Sequence, residues 1–427
     1  MGLPTLSTPA IDDEDPSVPV VVGAIVAGVF FGGVGGGVAF PILPALGSVI
    51  GASAFVVGLI LSINRFTRLL LATPAGQVLD RFGTRRPMLI GLVVQGLVPF
   101  GYVLGLDPGP IPLSGAALFF LSRAVWGVGS AFVFVGAFTT VTHVTSPANR
   151  GKWVGYMRGG QSLGFPAGLI LGGVLSEAYG NSGAFVIAGV LGLFAAFVAF
   201  VVLPNVEGSS TATTRLRDLP AVVRSDARVF GIGATNFSVR LLYAGILLST
   251  AVLYTTENGI SLGSLGETGA SGIVMAVSVL AMSVTTLLVG RLSDGLPSRT
   301  YTVIPALGLL ASGFALLAFL PTVEGTVAGV AMIGIGVGGT GPPLLAYLGD
   351  IAPGEDVGKL GGVYNVFGDL GSTIGPLVAL PLASTVGIGT EYLVCAGLAL
   401  LTAGMVLATL DGDPEEIQSV AVVTGDD

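Results

Sequence analysis

The chain has 427 residues, 52% of them hydrophobic and only 10% charged, with a net charge of −8 and a mean hydropathy of +0.89. So little polar surface cannot cover a protein of this length in water, which excludes a soluble enzyme and leaves lipid as the solvent. One cysteine, Cys395, excludes an internal disulfide, and one histidine, His143, excludes a multi-histidine metal site.

Residues 1–19 read as an acidic tail, with Asp12, Asp13, Glu14 and Asp15 where a secretory signal would be basic, so the first span is expected to be uncleaved. A helix crosses the hydrocarbon core with about 20 apolar residues. Such stretches are predicted at 20–46, 53–76, 87–106, 112–142, 153–176 and 182–203. A polar connection, 205–228, with SSTATTRLRDLP at its centre, separates them from six more at 229–256, 268–291, 301–321, 324–350, 360–385 and 389–410. An acidic tail, 411–427, follows. The expected fold is an all-α polytopic membrane protein of twelve spans, with six-helix bundles over 20–204 and 229–410. The 68 glycines then read as helix-packing positions, because small residues let backbones approach in lipid.

Charge sets an orientation. Arg81, Arg85, Arg86, Arg150, Lys152, Arg215, Arg217, Arg224, Arg228, Arg291, Arg299 and Lys359 fall in or beside alternate connections. The opposite connections, around Gly47, Asp107, Glu177, Glu257, Glu267, Glu324 and Glu391, hold no Lys or Arg. The positive-inside rule then places both termini in the cytoplasm and the protein in the cell membrane. Fifteen Arg against two Lys, on an acidic chain, is a composition suited to concentrated salt.

The two bundles share sequence. Asp80 matches Asp294 and Arg85 matches Arg299 at an offset of 214, with Gly76 matching Gly290. At an offset of 207, Lys152 matches Lys359, and Gly127, Gly129, Gly155, Gly164 and Gly168 match Gly334, Gly336, Gly362, Gly371 and Gly375. A parallel repeat of six spans is an architecture of transporters whose halves rock about a central site.

At residues 76–86 the sequence reads GQVLDRFGTRR, between spans two and three. Gly76, Asp80, Arg81, Gly83, Arg85 and Arg86 there resemble the loop signature of the major facilitator superfamily. Arg123, Gly127 and Gly129 in span four, the span-five glycines, and Gly35 followed by Pro41-Ile42-Leu43-Pro44 agree with it in position. The last resembles the twelve-helix drug:proton antiporter branch. In span five Leu169 stands where that branch has proline, and the Gly-Pro pair appears instead at Gly375-Pro376 in span eleven. The resemblance implies a cavity lined by spans one, four, seven and ten, a gating role for Asp80 and its counterpart loop at Gly290, Asp294 and Arg299, and a coupling role for Arg123.

Five arginines lie within spans: Arg65, Arg68, Arg123, Arg158 and Arg240. Each costs about 2.5–3.5 kcal/mol at the bilayer centre on insertion scales, so they are expected to face protein or water. Asp369 is the one clearly internal acid, which makes the cavity positive and favours anionic or neutral solutes. Arg68 and Asp369 sit at matching distances from Gly76 and Gly362 and are expected to pair. Arg240, Asn236, Arg158 and Gln161 are the substrate-cavity candidates, and Asp369 is alternatively a proton carrier.

Gly160-Gln-Ser162-Leu-Gly164 and Gly334/Gly336/Gly339 match hydrolase and dinucleotide-binding patterns, but neither sits in the strand-to-helix turn that those chemistries need. The expectation is a secondary transporter working by alternating access, coupled to H+ and exporting a small amphipathic compound. The alternatives are an organic-anion uniporter or importer, an exporter of cationic drugs, and, more remotely, a transporter-like sensor. No enzymatic activity, metal, cofactor or nucleic-acid partner is expected; the partners are solute and bilayer, and the protein is expected to be a monomer.

Overall fold

A computed structural model describes residues 18–47, 49–146, 149–204, 226–351 and 357–410. The expected tails and most of the 205–228 connection lie outside the described residues. The elements are α1 (Val18–Val38), α2 (Ala54–Phe82), α3 (Arg85–Leu106) and α4 (Gly115–Val144), then one continuous helical run, Arg150–Val202. The second set is α7 (Ala227–Glu257), α8 (Glu267–Asp294), α9 (Thr300–Phe319), α10 (Val323–Ile351), α11 (Val357–Val386) and α12 (Ile388–Leu410). Among the described residues the only extended pairing is an isolated bridge between Leu262 and Leu265.

Among the described residues eleven helices are long and apolar enough to cross a membrane, but the 53-residue run Arg150–Val202 would be about 80 Å long if straight, far beyond the roughly 30 Å core. It breaks at Gly180, whose φ of 74° suits a residue without Cβ. It therefore crosses twice, as α5 (150–179) and α6 (181–202), giving twelve crossings. Large side chains on the outer surface, such as Leu287, Phe319 and Leu401, are exposed as lipid would require.

Local signals set several boundaries. Ser53 and Ser114 cap α2 and α4 by accepting from the Val56 and Ala117 amides, and Asp226 caps α7 from the Arg228 amide at 2.7 Å. Span one ends at Leu46 as the sequence predicts, but its α-helix stops at Val38, past the glycine run Gly35-Gly36-Gly37, and a 3₁₀ turn, Leu43–Leu46, completes it. Span seven contains a π-turn over Leu241–Leu247. Glu391, at the edge of the predicted span 389–410, lies in the first turn of α12 and is fully buried.

The repeat is visible in packing. A Cβ on Gly164 or Gly168 of α5 would run into the Phe30 or Val34 carbonyl of α1, and one on Gly371 or Gly375 of α11 into the Phe237 or Leu241 carbonyl of α7. All four members of the second set stand 207 positions after the first. Likewise Gly127 abuts Asn64 of α2 and Gly334 abuts Ser278 of α8, while Gly129 abuts Gly91 of α3 and Gly336 abuts Ala306 of α9. Close backbone approach without side chains is how helices gain dispersion contact in lipid. Gly155 is different: open space lies in front of it.

The halves meet chiefly along α2 against α11 and α5 against α8, with the 3₁₀ turn touching α7. Backbones of the two halves approach closely at Gly58 on Pro376, Leu169 on Gly272, and Gly173 on Thr268 and Gly269. Gly58, Gly173 and Gly269 belong to the ends of the helices away from the arginine-rich loops. The basic face is more open: Asp80, Arg81, Arg158 and Arg291 are exposed, and Gly76 and Gly361 have nothing packed in front of them.

Candidate functional site

Midway along α2, three helical residues apart, Arg65 and Arg68 point from the first half toward the second. Arg65 Nη1 donates to the Ala244 carbonyl at 2.9 Å and the Ser372 carbonyl at 2.7 Å. Ala244 lies in the π-turn of α7, where the ordinary i to i+4 ladder is interrupted and a carbonyl can turn outward. Arg68 Nη2 lies 3.2 Å from Asp369 Oδ1 on α11, the pairing expected from their matched depths. Both side chains are about one-third exposed, at 30% and 33%, so the ion pair borders open space and is not sealed in the core.

Arg123 on α4 is fully buried. Its Nε donates to the Ile60 carbonyl, and its Nη2 to the Leu61 carbonyl and Asn64 Oδ1, all at 3.3 Å. These bonds tie it to α2 within its own half. The Phe40 ring faces the guanidiniums of both Arg65 and Arg123, at 5.5 and 5.7 Å, and so draws two cations to one aromatic surface.

Arg240 completes the group. It lies on α7 against Gly368 of α11, is exposed, and comes within electrostatic reach of Arg65 in the opposite half. Arg68, Arg123 and Asp369 are within the same reach of Arg65. An exposed α7 side chain that senses α2 faces the space between the halves. Four guanidiniums and one carboxylate thus gather around Arg65, with a local excess of positive charge.

Asn236 departs from its expected place on the cavity wall. It is buried, and its amide donates to the Tyr364 carbonyl at 2.7 Å, so it fastens α7 to α11 instead of facing solute. Arg158 is exposed and Gln161 half-buried, nearer the basic end of α5, outside the group around Arg65. Pro376 does lie at the contact between halves, where its carbonyl meets Gly58.

In the motif loop, Gly83 ends α2 with a φ of 74°. Asp80 and Arg86 are exposed, and Arg81 lies over the Phe82 ring. Arg85 donates to the Phe200 carbonyl of α6 at 2.8 Å. Its counterpart Arg299 donates to Asp350 of α10 and to Ser293, each at 3.2 Å. Gly290 is half-buried, and the Asp294 side chain lies outside the described residues. The repeat therefore preserves the arginine and its reach into its own half. His143 is exposed at the basic end of α4, and the two discounted glycine motifs lie inside α5 and α10.

Two acids escaped the sequence reading. Glu177, placed in a loop, lies on α5 and bonds to the first turn of α8. Glu391 is buried with neither carboxyl oxygen hydrogen-bonded among the described residues. A glutamate near the start of an apolar run looks the same in sequence whether it caps a loop or turns inward. Among the described residues no cluster of three or more His, Cys, Asp or Glu could hold a metal ion.

Comparison with known proteins follows the same lines. The Major Facilitator Superfamily model matches residues 25–266 and 232–422. Multidrug resistance protein 2 of Bacillus subtilis (strain 168) is 22% identical over 359 residues, covering 82% of this chain and 86% of that protein. The Escherichia coli (strain K12) protein named "Probable galactarate/D-glucarate transporter GarP" is 27% identical over 399 residues, covering 86% and 88%. In structure, the chain resembles a bacterial homologue of the human lysosomal transporter Spinster, with a TM-score of 0.73 at 13% identity over 93% of this chain and 97% of that one. Matched along nearly its whole length and built as two six-helix halves around a mid-depth charged group, the chain belongs to the major facilitator superfamily.

Proposed function

We propose that this transporter moves small amphipathic solutes that are anionic or neutral, exporting them in exchange for H+ by alternating access. The observation that carries the substrate class is the charge at the centre: Arg65, Arg68, Arg123 and Arg240 against Asp369 alone. A cationic solute would meet like charge in a medium of low dielectric, whereas a carboxylate or phosphate would find planar donors. Arg240 is the direct contact in this reading, because it is exposed to the space between the halves while Arg65 and Arg123 are engaged by backbone carbonyls.

The Arg68–Asp369 pair supplies the coupling. A carboxylate that borders the cavity and faces an arginine can exchange its partner for a proton when solute enters or the halves part. Export accords with the likeness to a B. subtilis protein named for multidrug resistance and with the span-one pattern at Gly35–Pro44, while the likeness to GarP, named a probable galactarate/D-glucarate transporter, accords with the anionic class. On the positive-inside reading the basic face is cytoplasmic in the plasma membrane, both termini lie on that side, and the structure is open inward. Asp80, exposed here, would then engage the other half when that face closes.

Binding to purified protein tests the charge argument. A matched series with one apolar scaffold bearing a carboxylate, an amide or an amine is measured by thermal shift. The carboxylate and amide members are expected to stabilise the protein and the amine is not, and Arg240→Gln abolishes the advantage of the carboxylate alone. Preferential stabilisation by the amine would overturn the proposal.

A further inference from the structure

We infer that Glu177 is the latch that holds the halves together on the base-free face, by serving as the N-terminal cap of a helix in the opposite half. The inference rests on the alternating-access reading above and adds a residue to it.

A helix leaves its first amide groups without internal partners, and a side chain at the N-cap position usually accepts from one of them. In α8 the N-cap is Gly266, which has no side chain to offer. The acceptor comes instead from α5: Glu177 Oε1 lies 2.6 Å from the Gly266 amide and Oε2 lies 3.1 Å from the Gly269 amide. Both carboxylate oxygens are thus engaged at the positive end of the α8 dipole, the geometry in which an anion gains most from a helix terminus.

The surroundings fit this contact. Below Glu177, Gly173 lies directly against Thr268 and Gly269, and Gly272 lies against the Leu169 carbonyl, so two backbones approach with no side chain between them. A Cβ on Gly269 would stand about 2.5 Å from Glu177 Oε2, so glycine there leaves room for the carboxylate. Every part of this contact joins the first half to the second. When the halves separate on this face, α8 loses its cap and Glu177 loses both donors at once, so the bonds exist in one state only. An interaction present in one of two states weights their ratio by its full strength.

The latch is a positioning device and touches no solute. Its test reads the positions of both ends of the molecule. Spin labels are placed at Ser182→Cys with Ser261→Cys on the base-free face and, separately, at Gly151→Cys with Gly349→Cys on the basic face, in a Cys395→Ala background. Ser182, Ser261, Gly151 and Gly349 are all exposed. With Glu177 intact, the base-free pair is expected in one short-distance population. Glu177→Gln removes the charge, and Gly269→Ala leaves Glu177 in place in the sequence but sets a Cβ about 2.5 Å from the position of its Oε2. Each is expected to raise the long-distance fraction at the base-free face about threefold to tenfold, with a matching rise in short distances at the basic face. Unchanged distributions at both faces in the two folded variants would overturn the latch. If solute or a pH gradient also fails to shift the distributions of the protein with Glu177 intact, it is the alternating-access reading that fails.

Discussion

What each intramembrane guanidinium touches decides what its loss will do. Arg240 is exposed to the space between halves, so Arg240→Gln is expected to raise KM for an anionic solute about tenfold and leave the melting temperature unchanged; an unaltered KM would remove it from the site. Arg68 and Asp369 form a pair, so Asp369→Asn and Arg68→Ala are each expected to slow transport, and the double variant to lose less than their product. Their coupling should fall toward the lower end of the roughly 0.5–3 kcal/mol seen for residues in one network, because both are one-third exposed. Multiplicative losses in a double-mutant cycle would sink the pairing. This pair was legible in sequence because helix rise converts residue number into depth. The cross-half bonds of Arg65 were not, since they depend on a π-turn that composition does not announce.

At the scale of elements, the glycines separate into contacts and spectators that sequence alone renders identical. Gly155, Gly164 and Gly168 share one helix and one repeat, yet only the last two lie against the α1 backbone. Gly164→Ala is therefore expected to destabilise by about 1–3 kcal/mol through overpacking, and Gly155→Ala to leave the melting temperature of the purified protein unchanged. Equal effects would contradict the packing described. The α7 cap makes a pH-dependent contribution. The Arg228 side chain, hydrogen-bonded to Asp226, holds that carboxyl below its ordinary range. A group whose pKa is lower folded than unfolded stabilises above its unfolded pKa, and the contribution fades as pH falls through the folded value. Asp226→Asn should thus be less stable than the parent at neutral pH, and the gap should close in acid; a gap independent of pH would exclude the carboxylate as its cause. Sequence reading located the twelve crossings because hydropathy and length suffice for that. It set Asn236 on the cavity wall, not in the α7–α11 contact, because inward and outward faces of an apolar helix differ by one residue's turn, and in lipid both faces are hydrophobic.

For the whole molecule, the two halves pack by the same glycine contacts 207 positions apart, and they touch each other mainly at mid-depth and on the base-free face. A carboxylate from α5 closes that face, while Asp80 stands exposed at the other. The repeat was legible because duplicated packing preserves glycine spacing. The state of opening was not, because one sequence must serve both states. The central claim is that the positive mid-depth site selects anionic or neutral solutes and couples their movement to protons. Flux in proteoliposomes under an imposed pH gradient, with carboxylate amphiphiles and cationic dyes assayed side by side, tests it most directly. The account predicts gradient-driven movement of the carboxylates that is lost in Asp369→Asn, with the cationic dyes left behind; gradient-driven transport of the dyes without the carboxylates would contradict it.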